Sequence, residues 1–125
     1  MAFIKLFPPK GRSYLSVDRV VELLRDEFST VYIDHDEGQS HVAGMIAAMM
    51  RFSDDFPDKQ QTLEQLQSIQ GDACYVSFGD DTGETACCVM PESPLFFGSP
   101  DAVHGPERKL VDRAANALGY VAFAG

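Results

Sequence analysis

The spacing of apolar residues changes several times along the chain, and each spacing predicts an element. Val17, Val20, Val21, Leu24 and Phe28 fall at i, i+3, i+4, i+7 and i+11. That is one side of an amphipathic helix. Asp18, Arg19, Glu22 and Arg25 form its polar side, and Ser16 supplies an N-cap hydroxyl. Leu110, Val111, Ala114 and Leu118 repeat the stripe near the end, between Pro106 and Gly119. These two residues suit a helix start and a helix stop.

Two further helices are expected between these. Residues 40–52 carry Val42, Met45, Ile46 and Met49 on one side, but Ala43, Ala47, Ala48 and Met50 make the other sides apolar as well. A helix apolar all round is buried or lies at an interface. Asp54-Asp55-Phe56-Pro57 breaks the pattern. A polar helix follows over 58–69, with only Leu63, Leu66 and Ile69 apolar and Gly71 where a cap belongs.

Elsewhere the spacing belongs to strands. Ala2 to Phe7 is an apolar run stopped by Pro8-Pro9, and Thr30 to Asp34 is rich in β-branched and aromatic residues. Residues 73–78 and 85–90 alternate with a period of two around Asp80-Asp81-Thr82-Gly83, which is good hairpin chemistry. Tyr120 to Phe123 makes a last strand. The predicted order is β-α-β-α-α-β-β-α-β. It defines an α+β domain spanning 1–125, with helices on one face of a mixed sheet and a ferredoxin-like or related sandwich compatible with it.

Composition adds bounds. The chain has 125 residues, 45% hydrophobic and 23% charged, which is enough apolar surface for one core. No apolar run reaches the roughly 20 residues of a membrane helix. The N-terminal residues lack the pattern of an export signal, and the three cysteines are an odd count for a disulfide framework. These features point to the cytoplasm.

Charge then divides the molecule. The net charge is −9, yet residues 1–25 carry five basic and two acidic side chains. Residues 26–37 carry five acids and no base, and residues 54–92 carry nine acids and one Lys. This balance disfavours nucleic acid, which needs clustered Lys and Arg. It suits a basic protein partner. Asp80, Asp81 and Glu84 on the hairpin, with Leu95, Phe96 and Phe97 in the Pro- and Gly-rich segment after it, form the expected interaction surface. A homodimer through residues 42–50 or 95–97 is the further expectation.

Candidate chemistry gathers at Asp34, His35, Asp36, Glu37 and His41, where a strand gives way to a helix. Carboxylates beside an imidazole can move protons, and Asp34, Asp36 and His41 offer a divalent metal three donors. The same acids would equally cap the helix. His104 is a second acid–base candidate, and a pairing of His41 or His104 with Cys74, Cys87 or Cys88 is a third. The turn Lys10-Gly11-Arg12-Ser13 lacks the residues of a phosphate loop. No pattern calls for a cofactor. The expected function is a non-enzymatic regulatory or interaction module for a basic partner. The alternative is a small metal-assisted or acid–base enzyme at the Asp34–His41 turn.

Overall fold

Two amphipathic helices set the main core. Helix α1 spans Val17–Glu27 and buries Val20, Val21 and Leu24, while the Ser16 hydroxyl accepts from the Arg19 N–H at 3.2 Å. The last helix, Arg108–Leu118, buries Leu110, Val111, Ala114, Ala115 and Leu118. Gly119 closes it in the left-handed region at φ 69°, where a Cβ would be strained. The two helices pack against each other. This computed structural model describes residues 2–51 and 57–125.

The strands beneath them form two three-stranded sheets. In one, β1 (Ile4–Phe7) is central. In the other, β2 (Thr30–Asp34), β3 (Cys74–Asp80) and β4 (Gly83–Val89) follow chain order. The flanks of β1 are β5 (Leu95–Phe97) and β6 (Val121–Ala124). Every pairing is antiparallel. The α+β class and the predicted element order stand. The single mixed sheet does not, nor does a ferredoxin-like sandwich, because the strands divide into two three-stranded sheets that are antiparallel throughout. Ile4, Leu6, Val76, Phe78, Cys87, Val89, Leu95 and Phe97 turn one side of both sheets into the main core.

The helices do not share one face. Helix α2 spans His35–Met50 and α3 spans Lys59–Ile69. Together with a 3₁₀ turn at Gln70–Asp72, they build a second, smaller cluster around Val42, Leu66 and Ala73. Gly38 makes this possible. A Cβ there would lie 2.3 Å from the Cys74 Cα, so only glycine lets the α2 backbone rest on β3. Beyond Val42 the apolar helix stays largely open: Ala43, Met45, Ala47, Ala48 and Met50 are exposed.

Several boundaries differ from the sequence reading. Helix α2 starts at His35, not Ser40, so the acidic turn is its first turn. The Asp34 carboxylate accepts from the Glu37 N–H at 2.9 Å, and Asp36 and Glu37 meet the positive helix end. Gly71 is not a left-handed cap, because the chain tightens into the 3₁₀ turn there. A short helix α4, Pro100–Val103, precedes the last helix, now α5. The predicted break at Asp54–Phe56 and the end of α2 at Phe52 lie outside the described residues.

Candidate functional site

Where the two sheets meet, β4 lies beside β5 without joining its ladder. The open seam makes a groove of about 480 Å³. Glu84, Ala86 and Cys88 come from β4, Tyr75 from β3 and Phe96 from β5, and His41 of α2, Met90 and Glu107 also line it. Strand alternation explains the set. Val76 and Phe78 face the core, so Tyr75 faces out; Leu95 and Phe97 are 1% exposed and Phe96 between them is 51% exposed. The groove therefore offers aromatic and thioether surface under two carboxylates, and no Lys or Arg lines it among the described residues.

The hairpin beside this groove is less free than its sequence suggests. Asp80 accepts from the Thr82 N–H at 2.9 Å and the Thr82 hydroxyl at 2.6 Å, and Arg113 reaches its other oxygen at 2.5 Å. Arg113 also holds the Glu27 carboxylate at 3.1 Å and the Glu27 carbonyl at 3.2 Å, with its guanidinium 4.6 Å above the Phe28 ring. The arginine ties the hairpin to the end of α1. Asp80 is thus paired within the fold. Asp81 and Glu84 remain exposed.

The two Thr82 hydrogen bonds, then Arg113, hold the Asp80 carboxyl down to about 2. A depressed acid stabilises the fold above its unfolded value near 4 and loses that contribution as pH falls toward 2. Urea unfolding of wild type and Asp80→Asn should show the widest stability gap above pH about 4, closing as pH falls toward 2. A gap independent of pH would contradict this role.

The residues of the strand–helix turn do not converge. Asp34 caps α2, His35 faces a shallow groove along α1 with Asp18 and Arg25, and His41 lines the seam between the sheets. The proposed trio Asp34, Asp36 and His41 is split because the stretch is helical, which turns its side chains around an axis. Among the described residues no three His, Cys, Asp or Glu side chains form a group suited to a metal. His104 is exposed as the C-cap of α4, its N–H donating to the Pro100 carbonyl at 2.8 Å.

Of the cysteines, Cys88 shares the groove with His41. Burial, and then Cys74, pushes the Cys88 thiol up to about 11. Burial likewise raises Cys74 and Cys87. All three stay protonated at neutral pH, so the Cys–His pairing has no ready thiolate. Of the three expected apolar interaction residues, Leu95 and Phe97 are core and Phe96 is presented. Tyr75, Met90 and Glu107 were not anticipated. Tyr75 was legible from the alternation around Val76, whereas Glu107 reaches the groove only through the tertiary fold.

No family model, no curated protein and no solved structure matches this chain. No helix among the described residues is long and apolar enough to cross a membrane.

Proposed function

We propose that this chain is a non-enzymatic interaction module that receives a basic segment of a partner protein in the groove between β4 and β5. The observation that carries this reading is the groove's lining: Glu84 and Glu107 beside Phe96 and Tyr75, with no Lys or Arg among the described residues. Aromatic surface supplies contact area at small entropic cost, and carboxylates select the sign of the guest. The three unpaired thiols support work in the reducing cytoplasm. The net charge of −9 would speed the approach of a basic partner.

Exposed ion pairs contribute at most about 1 kcal/mol each, so Phe96 must anchor the guest while the acids tune it. An array of peptides graded in net charge tests this. Binding should rise with positive charge and weaken with added salt. Glu84→Lys with Glu107→Lys should weaken it at least about tenfold, adding repulsion to two lost attractions. Phe96→Ala should weaken it at every salt concentration. Binding that ignores peptide charge, or survives all three substitutions, would overturn the proposal.

A further inference from the structure

A second surface lies at the other edge of the molecule. Strand β6 is the one strand among the described residues whose side chains are all exposed. Its sequence, Val121-Ala122-Phe123-Ala124, holds no charge, no Pro and no bulge. Natural edge strands are normally protected by such devices. The whole β5-β1-β6 sheet has a single charged residue, Lys5, in a chain of net charge −9. Lys5 is directed over the Phe3 ring at 5.4 Å.

The ladder fixes what this edge presents. Phe3 and Gly125 exchange both backbone hydrogen bonds, at 3.0 and 2.9 Å. Antiparallel pairs alternate between bonded and non-bonded, so Lys5–Phe123 is again a bonded pair while Ile4–Ala124 and Leu6–Ala122 are not. Ala122 and Ala124 therefore point their N–H and C=O groups away from β1, into the open edge. Two such residues, one on each side of Phe123, form a self-complementary set. Antiparallel to a copy of itself, Ala122 meets Ala124 of the copy and the reverse, and both pairs exchange two hydrogen bonds. The two-fold axis then passes between the two Phe123 side chains.

We infer that β6 is a homodimer edge, pairing with β6 of a second copy to join two three-stranded sheets into one of six strands. The occupant follows from the symmetry of the bonding pattern and from the lack of charge: a neutral edge selects a neutral edge. The aromatic face supports the same register. Phe3 stacks on Phe96 at 5.5 Å and lies 6.4 Å from Phe123. Pairing through Phe123 would continue this cluster across the axis, at the closely spaced type of pair that favours aromatic contacts. A two-fold interface of this kind closes on itself and does not propagate.

Sedimentation velocity of the full chain over a concentration series tests the inference. Wild type should be dimeric, with association strengthened by salt as the net like charge is screened. That is opposite to the salt response of the groove, so failure of one proposal is separable from failure of the other. Ala122→Pro removes a donor that β1 does not use and should give a monomer with an unchanged circular dichroism spectrum. Phe123→Glu places two like charges at the axis and should raise the dissociation constant at least about tenfold. It also alters only an exposed residue, so it keeps the test valid should the proline variant fail to fold. A wild type that stays monomeric, or a dimer indifferent to both substitutions, would overturn the inference.

Discussion

Gly38→Ala is expected to destabilise the fold by about 3 kcal/mol, a large part of the total for a domain of this size. The added methyl would sit 2.3 to 2.6 Å from three backbone atoms of Cys74. No rotamer can relieve that overlap, since the obstacle is main chain. The α2 helix would have to lift from β3, opening the small cluster of Val42, Leu66 and Ala73. Gly44, six residues further on, is the internal control. Nothing lies within 4 Å of a Cβ built there. Its replacement by Ala should therefore stabilise the protein by up to about 1 kcal/mol through helix propensity alone. Urea unfolding of the two variants should move in opposite directions. Equal effects would mean that α2 does not rest on β3 as described.

Phe78→Ala is expected to cost about 3–5 kcal/mol. Phe78 is fully buried, 4.7 Å from the Phe28 ring and 6.1 Å from the Phe97 ring. It joins three parts of the molecule: β3, the end of α1, and β5. Its loss leaves a cavity at the junction of the two sheets, under the groove, that the rigid strands around it can only partly fill. Thermal or urea unfolding measures the effect. A loss below about 1 kcal/mol would show that β5 is held to the other sheet by other contacts.

The parts of this fold that were legible in the sequence are those decided locally. The 3.6-residue stripes gave α1 and α5 because one side of each helix meets the core and the other meets water. The hairpin of β3 and β4 was legible from its turn. The start of α2 was misplaced because Asp34, His35, Asp36, Glu37 and Gly38 suit a loop by composition, while the Asp34 cap and the helix dipole favour a first turn. The same event dissolved the candidate site, since residues read as an extended cluster became successive positions around a helix. The helix that its all-round apolar surface marks as buried or at an interface buries only Gly38 and Val42, against β3 and the small cluster of Leu66 and Ala73.

The lining of the proposed groove was legible in kind but not in detail. Acids and aromatics were expected around Asp80 to Phe97, and Glu84 and Phe96 do line the groove. The tie between Asp80 and Arg113 was not legible, because the arginine is 33 residues away in sequence. Leu95 and Phe97 belong to the core because β5 alternates, and three adjacent apolar residues do not reveal which of them point inward. The seam itself arises from how two sheets meet, which no local pattern records.

The most direct test of the account is an amide chemical-shift map of the ¹⁵N-labelled protein titrated with a basic peptide from the graded array. Glu84 to Cys88 and Leu95 to Ser99 should shift in saturable fashion, and the shifts should diminish with added salt and in the Glu84→Lys, Glu107→Lys variant. Shifts confined to the Asp34–His41 turn, or no saturable shifts along β4 and β5, would contradict it.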